Sequence, residues 1–152
     1  MRLVVQRVTQ AHVRVADEEI ARIGQGILLL VGVESGDEGL DLDATAKKVA
    51  GLRIFSDAEG RMNRSLEEIG GEILLVSQFT LCAETRKGRR PSFVAAAPPE
   101  MAQRVFDRLV DAFRQRGGSP QTGVFGAKMA VGLTNDGPVT FVLEVAPPGA
   151  VG

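Results

Sequence analysis

Residues 73–83, Ile-Leu-Leu-Val-Ser-Gln-Phe-Thr-Leu-Cys-Ala, constrain this chain more than any other stretch. Four apolar residues in a row, 73–76, are the pattern of a strand covered on both faces, so the fold needs one layer above it and another below. Then the composition changes. Ser77, Gln78 and Thr80 are polar while Phe79 and Leu81 stay apolar. A buried strand whose end turns polar brings hydroxyls, an amide and backbone N–H groups to the rim of a sheet, where a ligand can meet them. The same pattern also describes a core strand running out to the surface.

A second apolar run, clean over residues 27–31 and continued by Gly32-Val33, predicts another buried strand over 27–33. It is far short of the ~20 residues that span a bilayer. Residues 3–8 and 11–15 are rich in Val, alternate in part and predict a pair of strands, followed by a turn at 17–19 and a short strand over 20–23. Leu42, Ala46, Val49 and Ala50 recur at helical spacing behind Asp41 or Asp43 as N-cap. Pro98-Pro99 opens a second helix with the stripe Met101, Val105, Phe106, Leu109, Val110 and Phe113, and Gly117-Gly118 stops it. Residues 128–133 and 139–145 predict the arms of a hairpin with its tip at 134–138. The pattern is α/β, with the helices on one side of the sheets, and the 152 residues suit one compact subunit. Residues 146–152, rich in Pro and Gly, predict a loose tail.

What is missing narrows the chemistry. The only histidine is His12, on an early strand, so any Ser–His–Asp or Cys–His site would have to use it. No His/Cys cluster has metal-ligand spacing, and no Gly-rich phosphate loop follows a strand, so neither metal nor cofactor is expected. Cys82 is the single cysteine; it excludes an intrachain disulfide and fits a reducing compartment. Nothing beside it in sequence lowers its pKa, and it reads as a small core residue. The opening segment alternates and carries Arg2 and Arg7, unlike a signal peptide, and a cytoplasmic location is expected. Thr80 has no evident base, so either its reaction is easy or the substrate brings its own catalyst. A net charge of −1 means that any RNA contact must come from a local patch, and Arg86, Lys87, Arg89 and Arg90 form one.

Ser77-Gln78-Phe79-Thr80-Leu81, taken with Asn135-Asp136-Gly137-Pro138-Val139-Thr140, resembles the two signature motifs of the D-aminoacyl-tRNA deacylase family. The likeness runs over about residues 1–145 and includes Met1-Arg2-Leu3-Val4-Val5-Gln6-Arg7-Val8 and Thr122-Gly123-Val124-Phe125-Gly126-Ala127-Lys128-Met129. It implies a deacylase domain over 1–145 in three layers, β/β/α, ordered as two strands, two βα units and three strands. It implies an aminoacyl-tRNA substrate, with backbone N–H groups around Gln78, Phe79 and Thr80 lining the ester site and Ser77 beside them. The 2′-hydroxyl of the RNA would assist, and Thr80 would position rather than attack.

The resemblance also implies a homodimer. Gly137 and Pro138 would be joined by a cis peptide and enter the partner's site, where their carbonyls form a wall that admits a D-residue or glycine and excludes an L-residue. About 5–6% of X–Pro bonds in folded proteins are cis, so local sequence alone favours trans. Ser77 and Phe79 agree with the cis class of the family. Phe125 and Met129 would line an adenosine pocket, with core packing as the alternative for both, and the basic loop would touch acceptor-stem phosphates, with a merely solvated loop as its alternative. The alternative is a non-catalytic RNA-binding module that uses the same loop and sheet rim. Against it stand 5% aromatics, with Trp and Tyr both absent. A general esterase would need a nucleophile elbow, which the chain lacks.

Overall fold

The computed structural model describes residues 1–149. Of the expected tail, 146–152, residues 150–152 lie outside the described residues. Among the described residues, eight strands and two α-helices follow one another as β1 (Arg2–Val15), β2 (Glu18–Ile23), β3 (Gly26–Gly32), α1 (Leu42–Gly51), β4 (Phe55–Ser56), β5 (Met62–Arg64), β6 (Glu72–Ser77), α2 (Pro99–Gln115), β7 (Gln121–Thr122) and β8 (Met129–Glu144). The main sheet has the order β2-β1-β3-β6-β7, and β8 pairs with the other edge of β1. β3, β6 and β7 are parallel neighbours; β2, β3 and β8 all run antiparallel to β1.

β3 and β6 are continuous apolar runs because both of their faces are covered. Ile27, Leu29, Ile73 and Leu75 point to one core with Val49, Val105, Leu109 and Phe113 of the helices. Leu28, Leu74 and Val76 point the other way, into a second core with Val8, Ala11, Val13, Ala21 and Ile23. Full burial of each such leucine stabilises by about 1.5–3 kcal/mol relative to exposure. The result is three layers: helices, the β3–β6 sheet, and the far half of β1 with β2 and the start of β8 folded across it. α1 begins where Asp41 accepts from the Ala44 N–H at 2.9 Å.

Three local expectations are corrected. Residues 3–8 and 11–15 are not a pair of strands; they are one 14-residue strand. β1 stays continuous because β8 holds one edge throughout, while the other edge passes from β3 to β2, and the exposed Thr9 is absorbed as an irregularity. The turn after β1 is tighter than 17–19: Ala16 takes φ 53°, and Glu18 and Glu19 already belong to β2. Residues 128–133 and 139–145 are not hairpin arms, because both pair antiparallel with the same strand, β1. The chain does not reverse. Gln6 faces Thr140 and Val8 faces Asn135, so residues 136–139 bulge out opposite Arg7 alone. Asn135 closes the bulge by accepting from the Val139 N–H and donating to the Thr140 hydroxyl, both at 2.8 Å.

Candidate active site

β6 ends at Ser77, and Phe79–Cys82 form a 3₁₀ turn. Hydrogen bonding explains the change. Gln78 donates its N–H to the Val31 carbonyl at 2.8 Å, a last link to β3, and its own carbonyl accepts from the Leu81 N–H at 3.2 Å. The N–H groups of Phe79 and Thr80 open the turn, as the unsatisfied donors of any helical start do. Neither has a hydrogen-bond partner among the described residues. The expectation that the Gln78 N–H also faces the ester is therefore corrected: the sheet uses it. The Gln78 side-chain amide remains on the site side and donates to the Thr80 hydroxyl.

The turn is seated tightly. Cys82 is buried beneath it and its thiol donates to the Val33 carbonyl at 3.5 Å. Burial, and then the Glu34 carboxylate, push that thiol up, so it stays protonated. Arg2 donates to the Leu81 carbonyl at 3.3 Å and pairs with Glu34 at 2.9 Å. On β3, a Cβ on Gly32 would come to 2.9 Å from Leu81 Cβ, 3.0 Å from Cys82 Sγ and 3.1 Å from the Gln78 carbonyl oxygen. Gly32→Ala must therefore displace the turn by a few tenths of an ångström. A shift of even a fraction of an ångström at reacting groups is costly, so we expect kcat to fall about tenfold to a hundredfold with the fold retained. Single-turnover rates beside a melting curve check this. An unchanged rate would mean that the turn is not the positioning element.

A cavity of about 640 Å³ opens beside the turn, within the range of small-ligand sites. Ser77, Gln78 and Phe79 form one side of it, and Phe125 and Met129 line it from the segment leading into β8. Phe125 also leans on Phe106 of α2, with ring centroids 6.2 Å apart. At the rim, Phe79 and Phe93 meet edge to face at 5.0 Å. Among the described residues, no ionisable side chain lines the cavity. His12 lies elsewhere, its ring against Gly132 in the outer sheet layer. Thr80 is exposed on the turn and is not part of the cavity wall. Arg86, Lys87, Arg89 and Arg90 are all exposed on the loop that follows the turn.

Gly137 and Pro138 are not brought to this cavity. They sit exposed in the β8 bulge, joined by a cis peptide. The bulge lies opposite Arg7, which pairs with Ile27 at the start of β3, whereas Ser77 pairs with Val31 near its end. At about 3.3 Å per residue the two sites are roughly 13 Å apart along the strands, with three strand spacings of about 4.8 Å between them across the sheet. Arg7 fixes the bulge: it donates to the Asp136 carbonyl at 3.0 Å and the Ile54 carbonyl at 2.7 Å, and pairs with the Asp136 carboxylate at 3.3 Å. Sequence reasoning gave no role to Arg7, Gly32 or Phe93. A glycine inside an apolar strand was the available signal for Gly32, since it marks close backbone approach.

The model of the D-Tyr-tRNA(Tyr) deacylase family matches residues 4–144. A curated D-aminoacyl-tRNA deacylase of Desulfitobacterium hafniense (strain DSM 10664 / DCB-2) is 56% identical over 144 residues, which is 95% of this chain and 97% of the relative. That of Roseiflexus sp. (strain RS-1) is 56% identical over 146 residues, 96% of this chain and 94% of the relative. Among solved structures, the c-Myc DNA Unwinding Element Binding Protein is similar with a TM-score of 0.90 and 40% identity, over 96% of this chain and 99% of that one. A probable eukaryotic D-amino acid tRNA deacylase shares the fold, with a TM-score of 0.82 at 21% identity over 95% of this chain and 98% of that one.

Proposed function

The chain belongs to the D-Tyr-tRNA(Tyr) deacylase family and is a D-aminoacyl-tRNA deacylase, and we propose that it leaves the chemistry to its RNA substrate while screening handedness with a partner's backbone. The observation that carries this reading is a cavity that, among the described residues, has no ionisable side chain in its lining, beside two backbone N–H groups that have no partner among them. Such a site can orient an ester and hold a developing oxyanion, but it cannot take a proton from water. The neighbouring 2′-hydroxyl of the terminal ribose serves instead as the proton-transfer group: it takes a proton from the water that adds to the ester carbonyl and returns one to the departing 3′-oxygen. The Phe79 and Thr80 amides face the carbonyl, Thr80 and Gln78 orient it, and Phe125 and Met129 flank the adenosine. Residues 1–145 form the deacylase domain, working in the cytoplasm.

The partner enters because a protomer's own bulge is far from its own cavity. β8 pairs with β1 alone among the described residues, so a 16-residue strand leaves one edge unpaired, with Phe141 and Val142 exposed on it. Long open edges of this kind are normally covered. A two-fold dimer covers both edges and supplies each cavity with the other chain's Gly137–Pro138. Carbonyls there reject an L-residue and pass D-residues and glycine, so mischarged glycyl-tRNA is also a substrate.

The test is D-tyrosyl-tRNA charged on a terminal 2′-deoxyadenosine. Loss of a catalytic proton-transfer group costs about 10²–10⁴-fold, and we expect the single-turnover rate to drop by at least the lower figure. Thr80→Ser should stay near wild type and Thr80→Val should slow without trapping an intermediate. Full activity on the deoxy substrate, or an acyl-enzyme accumulating on Thr80→Ser, would overturn the mechanism.

A further inference from the structure

The four basic residues beyond the turn are not equivalent. Glu84 and Ser92 exchange both backbone hydrogen bonds, at 2.8 and 2.9 Å, and close the neck of the loop they bound. One limb leaves the 3₁₀ turn directly; the other leads to Phe93, which packs on Phe79. The loop therefore stands on the cavity rim by both limbs. Inside it, Arg86 is committed to Glu84. Its Nε donates to Oε1 at 2.9 Å, its Nη2 to Oε2 at 2.6 Å, and its backbone N–H to Oε1 at 2.8 Å. The Arg86 fork and amide hold the Glu84 carboxyl down at about 2, so it is ionised at any working pH. Arg86–Glu84 is the one ion pair of the loop among the described residues, leaving Lys87, Arg89 and Arg90 exposed with their charges free.

We propose that Glu84 keeps Arg86 out of the RNA contact, so that the loop meets tRNA phosphates with Lys87, Arg89 and Arg90 while Arg86 braces its neck. This rests on the reading that the loop touches tRNA. Exposed ion pairs are individually weak, because holding two long side chains together costs entropy. Here the partners are two residues apart, the contact is bidentate, and the neck pairing already fixes the backbone. Moving Arg86 to a phosphate would exchange one anion for another and leave the Glu84 carboxylate facing RNA. The exchange gains little, so the cation stays where it is. A loop with three free cations instead of four also holds the product tRNA less tightly and more readily lets it go.

Binding of deacylated tRNA, followed by fluorescence anisotropy across a NaCl series, separates the roles. Each phosphate contact contributes about 0.7–0.9 to the slope of log affinity against log salt. Lys87→Ala, Arg89→Ala and Arg90→Ala should each flatten the slope by about that amount, and Arg86→Ala should leave it as in wild type. Glu84→Gln frees Arg86 and should steepen the slope by one contact with several-fold tighter binding; adding Arg86→Ala to it should cancel the gain. An Arg86→Ala slope as flat as that of Arg89→Ala, or an unchanged Glu84→Gln slope, overturns the proposal. If Lys87→Ala, Arg89→Ala and Arg90→Ala all keep the wild-type slope, the loop lies outside the RNA footprint and the underlying reading fails with it.

Discussion

Co-expressing two inactive variants of this chain, one damaged in the cavity and one in the bulge, should restore D-tyrosyl-tRNA deacylation to about a quarter of the wild-type rate. Ser77→Phe damages the cavity, putting a ring where a hydroxyl lines it. Gly137→Val damages the bulge. Gly137 has φ +132°, and a Cβ there would meet Val139 Cγ2 at 2.7 Å and the Arg7 guanidinium at 3.1 Å, so any side chain displaces the segment that Arg7 holds. Each variant alone should lose about 10²-fold or more, since misplacing either the ester or the wall forfeits alignment. Random pairing makes half of the dimers mixed. In a mixed dimer one site combines an intact cavity with an intact bulge, and the other combines both defects. One good site in two, in half of the dimers, gives the quarter. The unseparated co-expressed protein reads the quarter; differently tagged chains purified in tandem isolate the mixed dimer, which should reach about half the wild-type rate, with each homodimer assayed beside it. A mixed dimer no more active than the two homodimers would show that each protomer completes its own site.

The layers of the fold were legible because burial leaves a direct trace in composition. β3 and β6 are apolar without alternation, and that can occur only between two covering layers. α2 was equally plain, with its Pro start and an apolar stripe that is buried throughout. Two of the corrections, in β1 and β8, share one cause: local signals resemble chain reversals when the partner strand is out of sight. Thr9-Gln10 interrupts the alternation of β1 as a turn would, but β8 pairs on both sides of it. Asn135-Asp136-Gly137-Pro138 has every property of a hairpin tip, and still the chain goes straight on, because both flanks are bound to β1. Turn chemistry sets what the backbone tolerates, while pairing sets where the chain goes next. The candidate site was legible as a motif and not as geometry. Which amide of the Gln78-Phe79-Thr80 run is free depends on the Val31 carbonyl, 47 residues away in sequence and adjacent in the sheet. The Glu84–Arg86 pair lay within the visible loop, yet four basic residues in five positions drew attention from the acid two places before the first of them.

Wild-type enzyme should cleave D-tyrosyl-tRNA at least about 10³-fold faster than L-tyrosyl-tRNA, and should treat D-alanyl-, D-aspartyl- and glycyl-tRNA within about tenfold of one another; the first ratio is worth roughly 4 kcal/mol in the transition state. The proposed mechanism fixes three points around the substrate Cα. In it the Phe79 and Thr80 amides would hold the ester carbonyl, and the cavity the ribose. Carbonyl oxygens of the partner's bulge would hold the amino group. With those fixed, inverting the centre exchanges only the hydrogen and the side chain. In a D-residue the hydrogen faces the bulge; in an L-residue the side chain does. To escape the clash an L-residue must surrender one anchor, and loss of a single oxyanion donor already costs about 10²–10³-fold. Glycine presents hydrogen on both sides and meets no barrier. Side-chain size is ignored for the same reason, because a D side chain points away from everything that is fixed. Rates for the two tyrosyl isomers, measured on the same tRNA under single-turnover conditions, decide the matter. Isomers cleaved within tenfold of each other would rule out a backbone wall, and a strong preference for D-tyrosine over D-alanine would replace it with a side-chain pocket.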